Sequence, residues 1–167
     1  MKIAIGLLAT GVLGIITLFS ISFLNSVHFD QNCGGYLKRA ADANTIELAK
    51  GELKKALDYI EENDLKEGNT AVFWNRPEND LEFWYNNIKS SYDELLTLND
   101  STSGLEKSNM LIKLRETLID HSSKSGDSVT LPPRIKNYPS HFIISILFYL
   151  SLLLTGLGFT FIWYKSL

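Results

Sequence analysis

IAIGLLATGVLGIITLFSISFL, residues 3–24, decides the fold of this chain together with a second apolar stretch, FIISILFYLSLLLTGLGFTFIWY, residues 142–164. Neither stretch contains a charged residue or a histidine. A helix of roughly 22 residues rises about 33 Å, which is enough to cross a hydrocarbon core of about 30 Å. Both stretches are therefore predicted to be transmembrane helices, and together they form a hairpin with a polar domain between them.

The first stretch is predicted to be an uncleaved signal anchor. Its apolar run is longer than the apolar region of a signal peptide, which has roughly 7 to 15 residues, and no A-x-A-like cleavage site follows it. The predicted organisation is a transmembrane helix in residues 1–24, a polar domain in residues 25–140 with a proline-rich return in residues 127–141, a transmembrane helix in residues 142–164 and a short cytoplasmic tail in residues 165–167.

The charges next to the spans decide the predicted orientation. Lys2 and the free amine precede the first span and Lys165 follows the second, which favours a cytoplasmic location for both termini. Lys38, Arg39, Arg134 and Lys136 lie on the loop side and argue the other way. Because the positive-inside rule loses force for loops longer than about 60 residues, we expect a multi-pass protein of the plasma or inner membrane with an extracytoplasmic domain.

The polar domain is acidic. The chain has 16 Lys and Arg and 19 Asp and Glu, and the two ends hold only Lys2 and Lys165, which leaves 14 bases against 19 acids between the spans. Scattered bases with a net charge of −5 make nucleic acid an unsuitable partner, because binding to phosphates needs clustered Lys and Arg. We also predict no cofactor and no catalytic activity, since no nucleophile, phosphate loop or zinc motif is evident.

Helical periodicity predicts an all-α domain, an antiparallel bundle of about three helices. A first helix is expected over residues 35–65, beyond a hinge at residues 33–35, and a second from Pro77; Ser103 with Glu106 predicts the capping box of a third. Residues 122–126 are expected to form a turn, and residues 71–74 and 128–131 to pair as short strands. The predicted buried stripes, with coiled-coil-like spacing, are Ile46, Ala49, Leu53, Ala56 and Ile60; Leu81, Tyr85, Ile88, Tyr92 and Leu95; and Leu111, Leu114 and Leu118.

Small residues in the spans are candidates for helix–helix packing, since they let backbones approach closely. These residues are Gly6, Thr10 and Gly14 in the first span and Ser151 and Thr155 in the second. The packing partner is either the other span of the same chain or a second copy. The alternative is that small residues are simply common in membrane helices.

Three residues outside the spans are candidates for protein–protein contacts. Cys33 is the only cysteine, and it fits either an intermolecular disulfide across a dimer axis or a small buried residue at a tight contact. Phe73 and Trp74 fall in a predicted loop, where core packing does not explain them, so they are predicted to bind a sugar, a peptide or a neighbouring subunit.

Two further sets of polar residues are candidate ligand sites. Arg39, Asp42 and Asn44 interrupt the apolar face of the first predicted helix and are candidates for a small polar ligand, or simply a solvated face. His28 and His141 flank the spans and would support a metal-dependent enzyme only if a carboxylate joined them; interfacial placement is their usual explanation.

The layout of two spans and an extracytoplasmic bundle resembles that of bacterial chemoreceptors and sensor kinases. The resemblance implies a ligand-sensing bundle, which with so short a tail would signal through a partner. The sequence favours a different role, that of a non-enzymatic accessory, assembly or scaffold subunit. We expect it to act through protein–protein interaction in a homo-oligomer or a larger membrane complex.

Overall fold

The protein is mostly helical in a computed structural model that describes residues 1–121 and 127–166. The predicted turn at residues 122–126 and the final residue of the predicted tail lie outside the described residues. In chain order the elements are α1 (Lys2–Phe29), a π-helical turn (Asp30–Gly34), α2 (Gly35–Ala41), α3 (Ile46–Glu62), a 3-10 turn (Pro77–Asn79), α4 (Leu81–Thr97), α5 (Gly104–Leu118), β1 (Ile119–Asp120), β2 (Ser128–Val129), a 3-10 turn (Ile135–Asn137) and α6 (His141–Ser166).

The chain divides into two compact units. The first combines Met1–Val27 with Arg134–Leu167, and the second is His28–Pro133. Two helical stretches, Lys2–Ala41 and His141–Lys165, are long and apolar enough to cross a membrane. A helix of 40 residues is about 60 Å long, twice the thickness of a hydrocarbon core, so only its apolar part, residues 3–24, suits the bilayer interior.

Within the first unit, α1 and α6 pack against each other in opposite directions. Gly158 lies against the backbone of Ala4 and Leu8, and Gly11 lies against Thr155. At the other end of the pair, the Asn25 side-chain amide donates a hydrogen bond of 3.0 Å to Oδ1 of Asn137. The absence of a side chain on the glycines therefore sets how closely the two helices approach.

The predicted first helix of the domain is wrong in its extent, because the chain reverses direction in its middle. α2 ends at Ala41, and α3 begins after Thr45, whose side chain accepts a hydrogen bond from the backbone N–H of Leu48. Asp, Asn and Thr side chains compete for backbone hydrogen bonds and so favour caps and turns over helix interiors. The four residues from Asp42 to Thr45 thus turn one predicted helix into two that pack together.

Two further local predictions need correction. The expected hinge at residues 33–35 is helical, since the chain passes through the π-helical turn directly into α2. β2 does form within residues 128–131, but its antiparallel partner is β1, where Ile119 faces Val129, and not residues 71–74. The chain becomes extended as soon as α5 ends at Leu118. This places β1 beside residues 128–133, the returning segment, which begins with β2.

The buried stripes are largely as predicted. In α3 all five apolar positions of the stripe are buried, and α4 buries Leu81, Ile88 and Leu95, with Tyr85 and Tyr92 partly exposed. Ser103 caps α5 as expected, because its Oγ accepts a hydrogen bond of 3.2 Å from the backbone N–H of Glu106. The core of the second unit therefore lies where α2, α3, α4 and α5 meet.

Candidate functional site

A groove of about 700 Å³ runs along one side of α4 in the second unit. The returning segment that begins with β2 forms the opposite wall, and the C-terminal end of α5 contributes Leu118. The side chains that line the groove include Phe83, Trp84, Ile88, Val129, Leu131 and Pro133. These walls are mainly apolar, as is usual for sites that bind a ligand or an apolar segment of another protein.

Hydrogen bonds hold the returning segment at a fixed distance from α4. The indole N–H of Trp84 donates to the backbone carbonyl of Thr130 at 3.0 Å. The backbone N–H of Thr130 donates to the carbonyl of Leu118 at 2.8 Å and extends the pairing of β1 with β2. Trp84 thus supports the groove by packing and by its polar edge, and the prolines that follow have no backbone N–H to donate to a further ladder bond.

The charged residues that line the groove in the described structure are all acidic. Asp80 caps α4 by accepting a hydrogen bond of 3.1 Å from the backbone N–H of Phe83, and Glu78 pairs with Arg76 at 3.2 Å. The exposed Asp120 lies on the β1 side. No lysine or arginine is among the groove-lining residues that the structure describes. An apolar floor with acidic edges is complementary to an apolar segment that also carries a positive charge.

The predicted interaction residues Phe73 and Trp74 form an exposed pair. They lie between α3 and α4, with 63% and 79% of their surfaces exposed, and their ring centroids are 5.8 Å apart. With this exposure, core packing does not account for the two rings, and what binds them stays a prediction.

Cys33 belongs to the π-helical turn and is fully buried. Burial, with the Asp30 carboxylate adding to it, raises the pKa of the thiol to about 12. A thiol that is both enclosed and protonated is a poor nucleophile. The structure therefore favours the small buried residue over the intermolecular disulfide.

The sequence predicts that Arg39, Asp42 and Asn44 share one helix face, but in the structure they do not. Arg39 lies on α2 and pairs with the buried Glu52 of α3 at 3.0 Å, and Asp42 in the reversal lies 3.8 Å from Arg115 of α5. Asn44 is exposed in the same reversal. The two charged residues thus link helices of the bundle, and a ligand at this place remains only a prediction.

The structure divides the predicted small residues of the spans into two groups. Gly14, Ser151 and Thr155 lie in the contact between α1 and α6, whereas Gly6 and Thr10 are exposed. Sequence spacing missed Gly11 and Gly158, which make the closest backbone approaches. The sequence does indicate these two glycines, because Gly11 and Gly158 lie within one helical turn of the predicted contact residues Gly14 and Thr155.

The two histidines that were weighed as metal ligands have local contacts in different units. Nδ1 of His28 lies 3.3 Å from the Tyr59 hydroxyl, and the His141 ring stacks on Tyr138 with centroids 5.4 Å apart. Across residues 1–121 and 127–166, no group of three or more His, Cys, Asp or Glu side chains is arranged to hold a metal ion.

Comparison of the chain with protein-family models, with curated proteins and with solved structures finds no match. The groove, the exposed aromatic pair and the two apolar helices are the features of the molecule that bear on its function.

Proposed function

We propose that this chain is a non-enzymatic, two-span membrane protein that binds a protein partner in the groove beside α4. In this proposal α1 and α6 form a hairpin in the bilayer with both termini in the cytoplasm. The bundle lies outside the cytoplasm, where it acts as an accessory or scaffold subunit of a homo-oligomer or a larger complex.

The membrane part of the proposal is supported by the outward surfaces of α1 and α6. Their exposed residues are mostly large and apolar, including Phe19, Phe23, Leu147 and Phe159. Exposed apolar area on this scale is unusual for a protein surrounded by water, and lipid covers it without cost. The close contact of Gly11 and Gly158 with the facing helix is the kind of packing that stabilises helices in lipid.

The groove is the single observation that carries the binding role. It exposes Phe83, with 65% of its surface accessible, beside Leu131 and Pro133, and its polar edge is acidic. The partner that fits is an apolar protein segment with at least one lysine or arginine, which would meet Asp80 and Asp120. A fixed wall of hydrogen-bonded backbone reduces the entropy cost of binding, because little has to be ordered when the partner arrives.

A small-molecule ligand is the second candidate occupant of the same groove. Its volume of about 700 Å³ lies within the range of roughly 300–1,000 Å³ that is typical of small-molecule sites. In this alternative the bundle senses the ligand and signals through a partner. The site is then at α4 and the returning segment and not at Arg39, Asp42 and Asn44.

Native mass spectrometry after gentle extraction from the source membrane distinguishes these proposals. A stoichiometric second protein supports the accessory role, and a homo-oligomer supports self-assembly. A bound small mass supports ligand sensing. A bare monomer in mild detergent, with no partner cross-linked in the native membrane, would contradict all of them.

Phe83→Glu is expected to release the groove partner, because it places a carboxylate on the apolar wall beside the acidic edge. Removing a well-packed aromatic contact at an interface typically costs about 2 kcal/mol, or roughly thirtyfold in affinity. The amount of co-purified partner, relative to the chain itself, measures the effect.

Leu105→Glu is the matched control for this variant. Leu105 has 72% of its surface exposed and lies in the first turn of α5, as Phe83 lies in the first turn of α4. A new glutamate is tolerated in both positions, since the N-terminal turn of a helix favours negative charge. If both variants retain the partner equally, the groove is not its binding site.

A further inference from the structure

The exposed pair Phe73 and Trp74 belongs to the loop between α3 and α4, and the position of that loop within the second unit points to its environment. The base of the loop is fixed. The backbone N–H of Thr70 donates to the carbonyl of Asn79 at 3.0 Å, and Asn69 forms a β-bridge with Asp80. Both Thr70 and Asn79 are buried. The two aromatic rings therefore project from a closed loop whose ends are anchored to the bundle.

The end of α3 that leads into this loop lies beside the point where the chain enters the second unit. The hydroxyl of Tyr59 is 3.3 Å from Nδ1 of His28, and the Tyr59 ring packs edge-on against Phe29 with centroids 5.9 Å apart. His28 follows Leu24, the last residue of the first apolar stretch, by four positions. Four residues span at most about 14 Å even when fully extended, so this end of the unit lies close to the end of that stretch.

The exit of the chain from the second unit lies at the same end of the bundle. Trp84, in the first turn of α4, holds Thr130 by a hydrogen bond, and the unit ends at Pro133. Tyr85, one residue further along α4, donates a hydrogen bond of 2.9 Å to Glu61 in the last turn of α3. The C-terminal end of α3, the N-terminal end of α4, the chain entry and the chain exit are thus grouped together, and the loop with Phe73 and Trp74 joins the two helix ends.

We propose that Phe73 and Trp74 insert into the headgroup region of the bilayer and hold the membrane-facing end of the bundle against the lipid surface. This inference rests on the proposed two-span topology. Tryptophan combines a large apolar ring with a polar N–H group and is enriched at that depth, and phenylalanine adds apolar area beside it. The charges beside the pair are mixed, because Lys66 is followed by Glu67 and Arg76 is paired with Glu78, so the aromatic rings carry the proposed insertion.

The occupant of this surface is the bilayer and not a second protein. The reason is that the loop lies at the end of the bundle where the chain enters and leaves the second unit, and both connections lead to the proposed spans. The end of this loop contributes Pro77, Glu78 and Asp80 to the groove beside α4, but neither Phe73 nor Trp74 lines it. The two sites have separate tasks, in which the loop fixes the orientation of the bundle over the membrane and the groove binds the partner.

Tryptophan fluorescence in phospholipid vesicles tests the inference with the full chain. The chain has Trp74, Trp84 and Trp163, and Trp84 is buried. The difference between the Trp163→Phe chain and the Trp163→Phe/Trp74→Phe chain isolates the emission of Trp74. We expect this emission to be quenched by phospholipids that are brominated near the headgroup and to be protected from aqueous iodide.

The outcomes separate failure of this inference from failure of the two-span topology. In the Trp74→Phe chain, Trp163 at the end of α6 reports insertion, and it must be quenched by brominated lipid if α6 enters the bilayer. If Trp163 is quenched while Trp74 is quenched only by iodide, the loop lies in water and the inference is wrong. If Trp74 is protected from both quenchers, protein covers it, and the bilayer is again not its partner.

Discussion

Gly158→Leu is expected to separate α6 from α1. A Cβ on Gly158 would lie 2.6 Å from the backbone nitrogen of Leu8 and 2.9 Å from the carbonyl oxygen of Ala4. Backbone atoms cannot rotate away from such a contact, so the helices must move apart. Overpacking of this kind costs about 1–3 kcal/mol and sometimes more, which is roughly a 5- to 150-fold loss in the equilibrium for pairing.

Thiol cross-linking at the far end of the helix pair measures this effect. The amide nitrogen of Asn25 lies 3.0 Å from Oδ1 of Asn137, so in the Asn25→Cys/Asn137→Cys chain a short bifunctional thiol reagent is expected to bridge the two helices. Adding Gly158→Leu should lower the yield of that bridge sharply.

Gly156→Leu provides the control in the same helix. A Cβ on Gly156 meets nothing within 4 Å, so leucine is expected to leave the bridge intact. The substitution changes helix propensity by the same amount as Gly158→Leu, and only the contact differs. Equal yields in the two variants would show that α1 and α6 do not pack through Gly158.

Leu53→Ala is expected to destabilise the second unit by about 2–5 kcal/mol, which is a large fraction of the roughly 5–15 kcal/mol that stabilises a typical domain. Leu53 is fully buried at the centre of α3, where the surrounding helices cannot close the cavity that alanine leaves. Urea unfolding of the full chain in mild detergent, followed by the emission of the buried Trp84 in a Trp74→Phe/Trp163→Phe background, gives the free energy of unfolding.

Leu48→Ala removes the same atoms from the solvent side of α3. Leu48 has 54% of its surface exposed, and a surface substitution is usually within about 0.5 kcal/mol of neutral. We expect the free energy of unfolding of the Leu53→Ala chain to be clearly lower than that of the Leu48→Ala chain. A Leu53→Ala chain as stable as the Leu48→Ala chain would mean that the stripe of α3 does not form the core.

The elements that follow from local chemistry were predictable from the sequence. The long uncharged runs specify the two apolar helices, and three- and four-residue spacing identifies which faces of α3 and α4 are buried. The cap at Ser103 also follows from the type of residue and the glutamate three positions later.

The features that depend on contacts distant in sequence were not predictable. The reversal at Asp42–Thr45 was missed because the apolar stripe of α3 was extended backwards into α2, although the cluster of Asp, Asn and Thr was a signal for a turn. The partner of β2 depends on where α5 ends, and the groove depends on Trp84 meeting Thr130, 46 residues away. The periodicity of a single segment contains no information about which distant segment it will contact.

In the proposed topology, two spans place the bundle on one side of the membrane and both termini on the other. Labelling of intact cells with a membrane-impermeant maleimide tests it directly. Native Cys33 is buried, with its pKa raised to about 12, so it contributes little background. We expect exposed Ser108→Cys in α5 to be labelled in intact cells. Ile3→Cys and Ser166→Cys, which keep the flanking lysines, should be labelled only after permeabilisation. Labelling of the two termini from outside while Ser108→Cys is protected would contradict the proposed orientation, and labelling of one terminus alone would contradict the hairpin.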